Sequence, residues 1–241
     1  MITAKTKTRR YSARTHIGHV RTVNEDAILA LPQLGLWAVA DGMGGYAGGD
    51  VASQTVIDAL AGLPTDLTAP ALPDRIRAEL HAAHHRIRHE AARHRVATMG
   101  TTIILLALAE DHFLCLWAGD SRLYRLRQGR LAQISEDHSV VQAMVAAGQI
   151  SRTEAACHPQ RNQITRAIGI GTDPGVEKRR GAATAGDRFL LCSDGLTSHV
   201  DDLGLERLMR ETPIDSLANT LIKQALAGGG ADNVSVIAVE V

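Results

Sequence analysis

The chain has 241 residues, 45% of them hydrophobic, and 26 basic side chains balance 26 acidic ones. That length and apolar share suit one domain with a sizeable core, and zero formal charge argues against a nucleic-acid binder, which needs basic excess. Cys115, Cys157 and Cys192 are odd in number and contain no CxxC pair, which disfavours a disulfide framework or zinc ribbon and points to a reducing cytoplasm.

The N-terminal segment is polar and basic (Lys5, Lys7, Arg9, Arg10) and lacks the apolar core of a secretory signal. His16 and His19 read as strand residues. Apolar runs at 27–31 and 36–40, joined by Pro32-Gln33, predict a hairpin, and residues 50–60 predict a helix after a glycine-rich turn. Ile76, Leu80, Ala83, Ile87 and Ala91 place one apolar stripe on a helix over 74–95. The histidines of that helix (His81, His84, His85, His89, His94) read as a solvated face, because Arg77, Arg86, Arg88 and Arg93 would repel a chelated cation. Runs at 101–109 and 112–118 flank Glu110-Asp111, and runs at 123–126 and 131–134 flank Gln128-Gly129, giving two more hairpins. The stretch 103–109 is too short to span a bilayer.

A helix over 139–147 stops at Gly148, and Ser151 with Glu154 forms a capping box for another. The chain closes as a strand at 188–192, helices at 205–209 and 215–227, and a strand at 234–241. Hairpins this frequent imply antiparallel sheet and an α+β class.

Carboxylates recur where apolar strands run into glycine-rich turns. Asp41 follows residues 36–40 and opens Asp41-Gly42-Met43-Gly44-Gly45. Asp120 follows Gly119, Asp194 precedes Gly195, and Asp232 sits between Gly228-Gly229-Gly230 and the last strand. Each alone is an ordinary turn aspartate. Four at buried strand ends are costly, because a desolvated charge needs a partner, and a shared divalent cation removes that cost. Oxygen-only ligands select Mg²⁺ or Mn²⁺ over zinc. Beside such a site, Arg21 in Arg21-Thr22-Val23-Asn24-Glu25-Asp26 is suited to grip phosphate oxygens.

Taken together and in this order, Arg21–Asp26, Asp41–Gly45, Gly119–Arg122, Ser193–Gly195 and Asp232-Asn233 resemble the signature blocks of the PPM (type 2C) metal-dependent protein phosphatases. Asp137-His138-Ser139, His158-Pro159, Arg161-Asn162 and Arg166–Gly169 resemble the bacterial branch. The resemblance implies two packed antiparallel sheets flanked by helices on both outer faces, as one domain over 1–241 with a flap at 140–164 that borders the site. It implies two Mn²⁺ or Mg²⁺ ions that activate a bridging water. Asp41 would bridge both ions and the Gly42 carbonyl would bind one. Asp194 and Asp232 would complete the first, and Glu25 and Asp26 would serve the second. Asp120, with Asp194, would hold a third, weaker ion, and Arg21 would bind the phosphate.

By the same resemblance the substrates are phosphoserine and phosphothreonine proteins, those of a Hanks-type kinase, and the enzyme is a cytoplasmic monomer. Met43 stands where many eukaryotic members have a histidine, so the leaving-group acid is left unnamed. Cys192 reads as strand packing. A silent phosphoprotein-binding member and a small-ester phosphatase are the rival readings.

Overall fold

Period-two alternation along the strands decides the architecture. The computed structural model describes residues 9–44, 48–96 and 98–241. Gly45 of the Asp41–Gly45 turn, and Lys5 and Lys7, lie outside them. Strands β1 (Arg10–His16), β11 (Val234–Glu240), β10 (Arg188–Cys192), β7 (Arg122–Arg127) and β8 (Arg130–Gln133) form one sheet in that order. The second runs β2 (Asp26–Leu31), β3 (Leu36–Met43), β5 (Ile103–Leu108), β6 (His112–Ala118), β9 (Glu177–Ala182), with the two-residue β4 (Gly100–Thr101) beside the end of β3. Every ladder is antiparallel.

Alternate residues of each strand feed different cores. Trp37, Val39, Ile104 and Leu106 meet Leu123, Phe189, Leu191 and Ile237 between the sheets. Their neighbours Leu36, Ala38, Ile103 and Leu105 face outward beneath α1 (Gly49–Ala61) and α2 (Leu72–His94). On the opposite side Leu190, Cys192, Val236 and Ala238 pack under α5 (Asp194–Thr197), α6 (Asp202–Glu211) and α7 (Ile214–Ala227). Helices thus cover both outer faces, as expected from the resemblance. Each fully buried Leu, Ile or Phe adds roughly 1.5–3 kcal/mol of hydrophobic stabilisation.

Several local expectations are corrected. Pro32–Leu34 is a 3-10 turn rather than a two-residue hairpin loop, closed by Gly35 at φ 63. The run 101–109 is interrupted at Thr102, whose N–H donates to Asp41 O at 2.8 Å instead of continuing one ladder. β9 adds a strand beyond the predicted set, and β1 extends the strand expected at His16 back to Arg10. His16 ends β1, whereas His19 lies beyond it. His84 is fully buried, not solvated: it sits one turn after Leu80 on the apolar stripe, and its Nδ1 accepts from Gly169 N–H at 3.0 Å.

Register gathers the acid-bearing ends. Asp26 pairs with Asp41 and Ile103 with Ala118 in one sheet, while Cys192 pairs with both Val236 and Arg122 in the other. Residues 140–164 leave this scaffold as an excursion holding α3 (Val140–Ala146) and α4 (Arg152–Cys157). Val140 N–H donating to Gln163 O at 2.9 Å, and a bridge between Ser139 and Ile164, close its base.

Candidate active site

Asp26 opens β2 and lies directly across the ladder from Asp41 in β3. Like charges in that register destabilise a sheet, so hydrophobic pairing of the two strands is holding them there. Asp194 begins α5 immediately after β10. Asp120 follows the Gly119 turn at the end of β6, and Asp232 immediately precedes Asn233 and β11. Glu25 is adjacent to Asp26, with its carboxylate against the start of α1. A Cβ on Gly49 would stand 2.5 Å from Glu25 Oε1, and one on Gly42 would stand 2.1 Å from Gly49 O. Only glycines let these three segments touch.

Side chains that the sequence reading left without roles fix these loops. Asn233 Oδ1 accepts from Glu25 N–H at 2.8 Å, and its Nδ2 donates to Ile17 O at 2.8 Å and Val23 O at 3.0 Å. One amide therefore holds the whole Arg21–Asp26 loop. Ser193 Oγ donates to Asp26 Oδ2 at 2.8 Å and accepts from Ser235 N–H at 3.0 Å. Thr102 Oγ1 accepts from Asp41 N–H at 3.1 Å. Asn233 and Ser193 adjoin two of the predicted aspartates, which was the available signal; Thr102 gave none.

Four of the aspartates and Glu25 are raised above their ordinary range. Burial, then hydrogen bonds that partly oppose it, and then Asp194 and Asp232 set Asp26, which is pushed up to about 7. Asp41 is raised well above the usual value, by burial first and then by Asp26, Asp194, Asp120 and Asp232. Asp120 is pushed up to about 7 by burial and by Asp194 and Asp137. Asp194 is raised by burial and by Asp232, while a hydrogen bond with Asp41 pulls it back. Glu25 is raised by burial, with Arg21 opposing. The aspartates behave as one group of interacting charges and not as separate turn residues.

Arg21 is the cation at the edge of this group, its Nη2 2.8 Å from Asp232 Oδ2 and its side chain half exposed. Met43 ends β3 and is half-buried. Cys192 is buried, and burial pushes its thiol up to about 12, which suits packing and not nucleophilic attack. Two clefts lie elsewhere: one of about 540 Å³ between α1 and α2 beside His85 and His89, the other of about 400 Å³ behind α5 beside His199 and Arg207.

No three His, Cys, Asp or Glu side chains among the described residues grip an ion as they stand. The donor chemistry nonetheless fits a hard divalent cation. All donors are oxygens. The Asp26 Oδ1 atom is buried without a hydrogen-bond partner, and the burial and mutual repulsion that lift these carboxylates are what a cation relieves.

Fold and site together define a two-sheet sandwich with a carboxylate-rich centre, and comparison with known proteins places it. The chain belongs to the protein phosphatase 2C family, whose model matches residues 14–228. It is 42% identical over 234 residues to the serine/threonine protein phosphatase PstP of Mycobacterium tuberculosis, covering 96% of this chain and 45% of that protein. The chain thus spans just under half of that relative's length. PppA, a key regulatory component of T6SS in Pseudomonas aeruginosa, superposes with a TM-score of 0.90 at 39% identity over 98% of both chains. The catalytic domain of PstP in complex with two manganese ions superposes with a TM-score of 0.86 at 39% identity, over 96% of this chain and 97% of that one.

Proposed function

We propose that this chain is a metal-dependent phosphatase that hydrolyses phosphoserine and phosphothreonine on proteins. The carrying observation is the set of interacting aspartates, Asp26, Asp41, Asp120 and Asp194, lifted above the carboxylate range beside the free edge of Arg21. The manganese ions of the PstP catalytic domain support the same reading.

Asp41 would contact two ions and the Gly42 carbonyl one of them. Asp194 and Asp232 would complete the first, Glu25 and Asp26 would serve the second, and Asp120 with Asp194 would hold a third, weaker one. Bound there, Mn²⁺ or Mg²⁺ supplies the positive charge that acidifies an attacking water and offsets charge on the phosphoryl oxygens. The protein's own part is to orient. Arg21, turned from Asp232 toward the phosphoryl group, clamps two of its oxygens. Ser193 and Asn233 hold the Asp26 and Glu25 loops so that no reorganisation accompanies attack. Met43 cannot donate a proton, so leaving-group protonation falls to water or to another side chain.

The domain is a single unit with residues 140–164 as its flap. It works as a cytoplasmic monomer in signalling, reversing a Hanks-type kinase. No helix among the described residues is long and apolar enough to cross a membrane.

Turnover of a phosphothreonine peptide should vanish in EDTA and return with Mn²⁺. Full turnover in an exhaustively metal-stripped sample would sink this reading. A phosphopeptide preferred over free metabolite phosphates would exclude the small-ester alternative, and any metal-dependent turnover would exclude a silent phosphoprotein binder.

A further inference from the structure

His138 lies outside the carboxylate set, yet it grips the turn that presents Asp120. Its backbone N–H donates to Gly119 O at 2.9 Å, and its ring Nδ1 accepts from Gly119 N–H at 3.2 Å. Gly119 is left-handed at φ +110, and a Cβ there would stand 2.6 Å from Thr102 side-chain carbons. The turn is therefore pinned on one side by Thr102 and on the other by His138.

The imidazole itself is held on three sides. It stacks on Trp117, with centroids 5.9 Å apart and planes at 23°, and Trp117 Nε1 is anchored to Glu136 O at 2.8 Å. Its Nε2 lies 3.5 Å from both Glu177 Oε1 and Arg166 Nη1, which pair with each other at 2.5 Å. Thr165 N–H donates to His138 O at 2.7 Å, so the base of the 140–164 excursion closes on the same residue. Because Nδ1 accepts, the ring proton belongs on Nε2, toward Glu177. Burial, then Arg166, disfavour the imidazolium and keep the acceptor lone pair available.

We propose that His138 is a positioning residue for Asp120, its neutral Nδ1 setting the Gly119 turn so that the carboxylate meets its ion. The inference rests on the reading of Asp120 as ligand of a third, weaker ion. Groups that hydrogen-bond a metal ligand directly change affinity by roughly 10–100-fold, and His138 acts one step further out, through the backbone of Gly119 that precedes Asp120.

Asparagine and glutamine separate the two ring nitrogens. His138→Asn keeps an acceptor where Nδ1 stands, whereas His138→Gln puts its amide near Nε2 and leaves Gly119 N–H without its partner. Free Mn²⁺ would be counted by electron paramagnetic resonance during titration of the whole chain, with thermal melts of each variant alongside. His138→Gln and Asp120→Ala should weaken the weakest binding step by about tenfold or more while leaving the tighter steps in place. His138→Asn should bind like wild type. A wild-type curve for His138→Gln, beside a weakened Asp120→Ala, overturns the positioning role alone. An unchanged Asp120→Ala overturns the third-ion reading and this inference with it. Loss of the weak step in a normally melting His138→Asn also overturns the inference, even if His138→Gln folds poorly.

Discussion

Asp187 precedes β10 and Asp194 follows it, so one strand carries a carboxylate at each end of the sandwich. At the far end Asp187 is only 1% exposed, but Arg127 forks onto it through Nε at 2.7 Å and Nη2 at 2.6 Å, and Thr184 N–H donates at 2.9 Å. Burial pushes Asp187 up, yet those partners outweigh it and its pKa is lowered. At the near end Asp194 has other aspartates for neighbours, and its pKa is raised. The same residue type on the same strand is structural where the chain supplies a cation. Where acidic neighbours outweigh the nearby Arg21 and Arg122, the carboxylate stays strained and is the better candidate for function.

The largest expected effect tests the near end. Asp41→Asn should lower Mn²⁺-dependent turnover of a phosphothreonine peptide by more than about a hundredfold, because under the proposed ligand assignment it would weaken contacts to two ions at once. The same change should raise the melting temperature of the protein in EDTA, since it removes a carboxylate whose charged form is disfavoured by burial and by Asp26, Asp194 and Asp120. A variant that loses activity without that gain would break the contrast between the two ends.

Arg127→Ala makes the far end resemble the near one. Stripping the partner from a buried carboxylate should cost about 3 kcal/mol in urea unfolding. Turnover at 25 °C in Mn²⁺ should stay at the wild-type level. A large loss of turnover in folded protein would mean that the ends are coupled.

A smaller effect is the dependence of stability on pH. Asp26 and Asp120 titrate near 7 in the folded protein and near 4 when unfolded. Between those values the folded state holds more protons, so stability in EDTA should fall as pH rises from about 4 to about 7, with the raised Asp41 adding a loss of the same sign. Asp187 has the opposite sign: its contribution is lost only as pH drops below the ordinary carboxylate range. Melting temperatures in EDTA that climb steadily from pH 5 to pH 8 would show that the near-end carboxylates are not strained.

Much of this was legible from residue order. The hairpins, the α2 stripe, the Ser151 capping box and the strand-end aspartates are local patterns. The structure bears out the hairpins as antiparallel pairs and the box through Ser151 and Glu154. β1, expected only at His16, and β9, absent from the expected strands, lie at sheet edges. Their sequences, RYSARTH and EKRRGA, alternate weakly because their faces are half exposed. His84 was legible and misread: its spacing from Leu80 and Ile87 placed it on the buried stripe, and its company of arginines obscured that. The roles of Asn233, Ser193 and His138 could not be read locally. Their bonds reach residues as far as 216 positions away, and such contacts leave no periodicity.

Asn233 also has a consequence for how the site comes into being. By joining residues 17–25 to the final strand, and with β1 laddered along β11 from Arg10↔Glu240 to His16↔Val234, it makes the catalytic centre depend on contacts between distant parts of the chain. Such topology carries high contact order and slow folding. During synthesis the Arg21 and Glu25 loop emerges first and waits, without its anchor, until Asp232 and Asn233 leave the ribosome. A growing chain should therefore pass through no active fragment, and the proposed phosphatase activity should switch on only when β11 zips into the sheet.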